Sequence, residues 1–185
     1  MLVDSHCHLD FPDFQEDFDG VLDRAREAGI GCLLTIGTKI SQFDDVLAIA
    51  EAHEHIFCSV GIHPHSAESE PEISADHLVR MAGKSPKIVG FGECGLDFYY
   101  DHSPRDIQAR VFRAHIAAAR EAGLPVIIHT RDADAEMMQI LREEQANGPF
   151  PGLIHCFSSG RELAETAIDL GMYVSLSGIL TFKRS

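Results

Sequence analysis

His6 and His8 stand two residues apart in the run Asp4-Ser5-His6-Cys7-His8-Leu9-Asp10, directly after the apolar opening Met1-Leu2-Val3. In a strand, residues two apart point to the same side, so both imidazoles can aim at one point. Neutral imidazole is the commonest ligand for a cation such as zinc. The chain has 11 histidines, and His53-x-His55 and His63-x-His65 repeat the spacing, so one pair does not separate a metal site from two surface side chains. What separates them is company. Reactive residues recur wherever an apolar run ends: Gly61-Ile62-His63-Pro64-His65, Gly92-Glu93-Cys94-Gly95-Leu96-Asp97, His129-Thr130-Arg131-Asp132 and His155-Cys156-Phe157-Ser158.

The elements that must position them follow one pattern: short apolar strand, polar turn, amphipathic helix, glycine, next strand. Strands are expected over residues 2–5, 32–36, 56–60, 87–91, 125–128, 153–155 and 172–176, with helices near 16–28, 43–50, 74–81, 104–123, 133–144 and 159–171. The apolar stripe Phe18, Val21, Leu22, Ala25, Ala28 has helical spacing. Ser41-x-x-Asp44 and Ser159-x-x-Glu162 have the form of capping boxes, and Ser103-Pro104-x-Asp106 that of a helix start. Strands alternating with helices across short loops argue for a parallel sheet covered by helices. Periodicity alone leaves a doubly wound sheet and a (β/α)8 barrel open. In a barrel every strand's carboxyl end surrounds one mouth, whereas an open sheet would spread these histidines along an edge. Convergence of His6, His8, Glu93, His129 and His155 therefore favours the barrel, a single domain over 1–185, and a ligand inventory for two metals.

Each residue has a plainer reading. A lone histidine such as His129 is more often a hydrogen-bonded loop or core residue. A buried carboxylate at Glu93 would be expensive unless paired or metal-bound. Five such coincidences on strand ends are improbable together. His53, His55, His77, His102 and His115 fall away from those ends and read as surface or packing residues. Cys7, Cys94 and Cys156 read as small apolar filling. The Gly90–Gly95 stretch lacks the Lys-Ser/Thr of a phosphate loop, and no Gly-x-Ser-x-Gly elbow is present.

Composition bounds the function. Of 185 residues, 45% are apolar and 24% charged, with net charge -14. Such acidity disfavours tight nonspecific nucleic-acid binding, which calls for a basic face, but cations in a pocket would reverse the local field. No apolar run reaches the length of a membrane helix, and no signal peptide is evident. Five cysteines, mostly in strand contexts, fit a reducing cytoplasm.

These motifs, in this order and across essentially the whole chain, resemble the TatD family of metal-dependent deoxyribonucleases in the amidohydrolase superfamily. The resemblance implies a TIM-type barrel and a two-metal hydrolase that cleaves phosphodiester bonds of DNA, often as a 3′→5′ exonuclease, through a metal-activated water. By motif, His6 and His8 would hold one divalent ion (Zn, Mn, Mg or Co), Glu93 would bridge, and His129 and His155 would hold the second. His63 and His65 would lie near the substrate's phosphate. Among catalytic candidates beside Glu93 and His63, Arg131 would either steady a phosphate or form a surface ion pair with Asp132. Asp97 would orient a ligand, and Asp10 would do the same or cap a turn. DNA is the expected partner, with no membrane and no obligate protein partner. Two other activities fit the motifs: hydrolysis of a small amide, ester or aminoacyl substrate, and a catalytically dead metal-binding scaffold.

One departure stands out. Barrels of this type run to about 250 residues, and the family's last strand carries a Thr-Asp-Ala/Ser-Pro motif that this sequence does not contain. The barrel is therefore expected to be incomplete, a truncation lacking its last βα unit, with unpaired edges, poor stability and impaired turnover.

Overall fold

The computed structural model describes residues 1–183. Seven parallel strands lie side by side in chain order: β1 (Leu2–Cys7), β2 (Ile30–Ile36), β3 (Ile56–Val60), β4 (Ile88–Asp97), β5 (Val126–Arg131), β6 (Gly152–Ile154) and β7 (Tyr173–Val174). The connecting helices are α1 (Pro12–Gln15), α2 (Phe18–Glu27), α3 (Phe43–Ala52), α4 (Ala75–Ala82), α5 (Arg105–Ala122), α6 (Asp134–Ala146) and α7 (Arg161–Asp169). Strict sequential order is the barrel's topology; a doubly wound sheet reverses its order at a switch point. The sheet curls into an incomplete TIM-type barrel. Among the described residues β1 and β7 are its edges, and they carry exposed apolar side chains at Leu2, Val3 and Tyr173.

Packing follows from pattern. On α5, Val111, Phe112, His115, Ile116 and Ala119 recur at helical spacing and are buried; Gly123, at φ 67°, closes the helix in the left-handed conformation that glycine adopts without strain. On α4, Leu78, Met81 and Ala82 face inward, and the Ser74 hydroxyl accepts from the His77 N–H as its cap. These faces join β3–β6 in one contiguous core that includes Ile56, Phe91, Ile128 and Leu141. Burying a side chain the size of Phe112 contributes about 1.5–3 kcal/mol. A second tie holds α5 to α6: Glu144 accepts from Arg113 at 2.7 Å and from Arg120 at 3.1 Å.

The structure corrects several local expectations. Ser41 caps nothing on its own helix; its N–H and hydroxyl both donate to the Glu70 carboxylate, at 2.9 and 2.7 Å. The N-cap of α7 is Gly160, whose N–H donates to Asp134, so Ser159 is not the cap either. The Gly90–Gly95 stretch, read as a tight turn after a strand ending at residue 91, is itself strand: β4 continues for 10 residues and stays paired to β5 through Asp97↔Arg131. It can do so because Gly92 and Gly95 take φ of 136° and 139°, a region L side chains avoid.

Candidate metal centre

Two irregularities in the sheet aim the central side chains. Between Asp4 and Cys7, β1 carries one residue more than its partner β2, and His6 lies in that stretch. Between Phe91 and Cys94, β4 carries one residue more than β5, and Glu93 lies there. A bulge of this kind bends the strand and re-aims a side chain. His8 lies beyond the end of β1, so the alternation of a regular strand is not what brings it beside His6. The two rings nonetheless meet edge to face, 5.1 Å apart.

Glu93 sits at the focus and is 2% exposed. Its backbone is locked from three sides. The Glu93 N–H donates to Gly37 O at 2.8 Å, and the Ser59 hydroxyl donates to Gly92 O at 2.7 Å. Gly61 packs so closely on Gly92 that a Cβ at Gly61 would come within 2.5 Å of its Cα.

Around this carboxylate stand five imidazoles. Oε2 faces His6 Nε2 at 3.2 Å and His8 Nε2 at 3.7 Å. Oε1 faces His155 Nε2 at 2.6 Å, His129 Nδ1 at 3.0 Å and His63 Nε2 at 3.4 Å. The structure thus brings together all five residues read from the sequence as ligands, and His63 with them. Asp97, fully buried, stands behind: its Oδ2 faces His65 Nε2 at 2.7 Å and His129 Nε2 at 3.1 Å, while Oδ1 accepts the N–H groups of Tyr99 and Tyr100.

The electrostatics follow from burial against pairing. Burial alone would raise the Glu93 carboxyl, but hydrogen bonds from His129, His155, His6 and His63 outweigh it and hold the group well below the usual range. Burial opposes the charge on His129 too, yet Glu93 and Asp97 on either side hold its pKa above the ordinary value. Burial dominates at His8 and His63 and lowers both.

Among the described residues, two groups of donors could hold a metal ion, His6–His8–Glu93 and His63–Glu93–His129. The fit is chemical as well as spatial. His155 Nε2 faces His129 Nδ1 at 3.4 Å, and facing ring nitrogens are reconciled only by a shared proton or a cation. The His6 and His155 rings stack at 3.9 Å, 4° from parallel, so both present their Nε2 edges to Glu93. A buried Asp97 behind His129 supplies the carboxylate–histidine support typical of a ligating imidazole. The centre opens on a cavity of about 1200 Å³ lined by His6, His63, Glu93, His129 and His155 with Phe11 and Leu176.

The remaining candidates fall as follows. Arg131 forms no ion pair with Asp132; its guanidinium carbon lies 4.0 Å over the Tyr99 ring and 4.8 Å from that of Tyr100. His102, expected away from the strand ends, sits 4.8 Å from the His65 ring and parallel to Tyr100. His115 is a core residue: fully buried, its Nδ1–H donates to Val111 O and its Nε2 accepts from the Ile62 N–H, one residue before His63. Cys94 is filling, as expected, and burial pushes its thiol well above the ordinary range. Burial likewise pushes Cys7 up to about 12. Cys156 is not filling: it is exposed, at φ 45°, with Sγ 2.9 Å from Ser177 Oγ. Residue-by-residue reading does not mark Tyr99 and Tyr100; the signal they leave is a run of three large rings, Phe98-Tyr99-Tyr100, after Asp97.

Curled parallel sheet, outer helices and a histidine–carboxylate cluster at the carboxyl ends of the strands define the class: a barrel of the metal-dependent hydrolase type. The sequence profile described as TatD related DNase matches residues 3–185. The chain belongs to that family. It is 34% identical over 185 residues to the uncharacterized metal-dependent hydrolase YabD of Bacillus subtilis, covering all of this chain and 72% of the relative. It is 32% identical over 177 residues to the 3′-5′ ssDNA/RNA exonuclease TatD of Enterobacter lignolyticus, covering 96% of this chain and 67% of that protein. The crystal structure of YjjV, a TatD homologue from Escherichia coli, superposes with a TM-score of 0.90 at 30% identity, over all of this chain and 71% of that one. No helix among the described residues is long and apolar enough to cross a membrane.

Proposed function

We propose that this chain is a two-metal phosphodiesterase that removes nucleotides from the 3′ end of single-stranded DNA. The observation that supports this most is the division of Glu93, with Oε2 turned to His6 and His8 and Oε1 to His129, His155 and His63. A carboxylate addressed separately by two imidazole groups suits a bridge between two cations: His6 and His8 on one side, His129 and His155 on the other, His63 at the substrate side. A nitrogen-rich set suits zinc, manganese or cobalt, and the bridging carboxylate admits magnesium. Divalent ions held there supply Lewis acidity toward a phosphoryl oxygen and compensate charge as it develops.

The chain's own groups do the rest. Glu93, ionised at neutral pH, fixes the spacing of the two donor groups. Asp97 holds the rings of His129 and His65 in orientation. Arg131, with no carboxylate partner among the described residues, keeps its fork of donors for a phosphate. Cations held by these residues would turn the local field at the mouth positive, which would favour a phosphodiester in spite of the overall net charge of -14. The name carried by the Enterobacter relative, a 3′-5′ ssDNA/RNA exonuclease, supports a single-stranded nucleic acid and the 3′→5′ direction.

The test is hydrolysis of single-stranded DNA labelled at its 5′ end, with manganese, zinc or magnesium and with EDTA. A ladder shortening from the 3′ end, abolished by EDTA, is the expected result. Metal-dependent cleavage of a small ester such as 4-nitrophenyl acetate, with DNA untouched, would assign the centre to a small-molecule hydrolase. Absence of any metal-dependent turnover would leave a metal-binding scaffold.

A further inference from the structure

We propose that Tyr99, Tyr100 and His102 form a stacking platform for an unpaired nucleobase beside the metal centre. The proposal rests on the phosphodiesterase reading and adds where the base next to the cleaved phosphate is held.

Exposure is the first reason. Tyr99 is 57% exposed and Tyr100 48%, separated from the buried pair Leu96 and Asp97 only by the half-buried Phe98. Geometry is the second. The Tyr100 and His102 rings lie 4° from parallel with centroids 5.4 Å apart, and Tyr99 stands at 89° to Tyr100. Arg131 lies over both tyrosine rings, so a cation is held at the platform itself. Aromatic faces interleaved with a guanidinium are the chemistry with which proteins hold single-stranded nucleic acid: every base offers a face to stack, and the cation meets the backbone.

Anchoring is the third reason. Asp97 Oδ1 accepts the N–H groups of both tyrosines at 3.0 Å, and Oδ2 of the same carboxylate faces His65 and His129. His65, which lines the cavity, meets Tyr100 edge to face at 5.3 Å. One buried side chain therefore sets the platform and the donor cluster in fixed relation, so a base stacked there places its own phosphate toward the centre at little further ordering cost. Bases within a duplex are already stacked, and the platform consequently selects single strands and frayed ends.

The experiment compares two fluorescein-labelled probes of equal length and charge, a short oligothymidylate and the same backbone with abasic sugars. Anisotropy is read with the full chain in EDTA and again with manganese. The wild-type chain is expected to bind oligothymidylate roughly ten-fold more tightly or better, the range base–aromatic stacking gives. Tyr100→Ala and Tyr99→Ala should close that gap by weakening oligothymidylate toward the abasic probe, with a thermal melt checking that each variant is folded, and Tyr100→Phe should keep it. Equal affinity for the two probes in the wild-type chain, no binding of oligothymidylate, or a gap that survives both alanine substitutions overturns the platform. Base-dependent binding without hydrolysis of either diester would retire the phosphodiesterase reading and leave the platform standing.

Discussion

His129 Nε2 lies 3.1 Å from Asp97 Oδ2, and this contact decides which face of the imidazole meets the centre: Nδ1, 3.0 Å from Glu93. A carboxylate at Nε2 keeps that nitrogen protonated and makes Nδ1 the better donor to a cation.

Asp97→Asn tests this directly. An amide nitrogen turned toward His65 and His129 would place donor against donor and favour the wrong tautomer. Metal affinity, read by competition with a chromophoric chelator, should fall about 10- to 100-fold, the usual effect of removing such support. An unchanged affinity would show that Asp97 serves the loop at Tyr99 and Tyr100 rather than the centre.

Glu93→Gln should be more severe because both donor groups share this side chain. Addition of manganese or zinc should raise the melting temperature of the wild-type chain, by an amount equivalent to about 2.7 kcal/mol when the ion is at 100 times its dissociation constant. The substituted chain should lose that shift along with any metal-dependent turnover. Calorimetric stoichiometry falling from two ions to one or none is the accompanying observation.

His115 sets an acid limit on stability. Burial lowers its pKa from 6.5 to about 4, partly offset by its bond to Val111. The folded chain therefore keeps it neutral where the unfolded chain is already protonated. Its contribution is complete above pH 6.5 and is lost progressively as pH falls from 6.5 toward 4, on the order of 3 kcal/mol in all. Urea unfolding at pH 7 and pH 5 should show the loss. His115→Gln, lower in stability at pH 7 by about 1–3 kcal/mol through its weakened bond to the Ile62 N–H, should show a smaller difference between the two pH values.

Glu144 joins α5 to α6 through Arg113 and Arg120. Glu144→Ala leaves a part-buried Arg120 without its carboxylate. The expected cost is about 1–3 kcal/mol, below that of a fully buried pair because Arg113 is open to solvent. Turnover at saturating metal should not change, which thermal melts and rate assays on the same preparation would check.

Much of this was legible in the residues. Apolar runs located the seven strands of the described residues, and the polar residues at their ends pointed to the cluster around Glu93, because side chains at the carboxyl ends of a curled parallel sheet converge whatever fills the core. What could not be read were contacts that depend on backbone detail. Gly92 and Gly95 look like turn residues, yet their positive φ values let β4 run on to Asp97. Ser41 has a capping pattern, but Glu70, 29 residues away, competes for its hydroxyl and wins. His115 shows no sequence mark of its bond to Ile62, since that partner is 53 residues distant. His102 likewise joins His65 only through the fold.

The bed beneath Glu93 has a consequence for how the centre can fail. Gly37, Ser59 and Gly61 donate nothing to a cation, yet they are masonry under the one acid that five imidazoles face. Damage there, a methyl group at Gly61 for instance, would tilt that keystone and slacken all five rings at once, whereas losing a single ring would leave the other four in place.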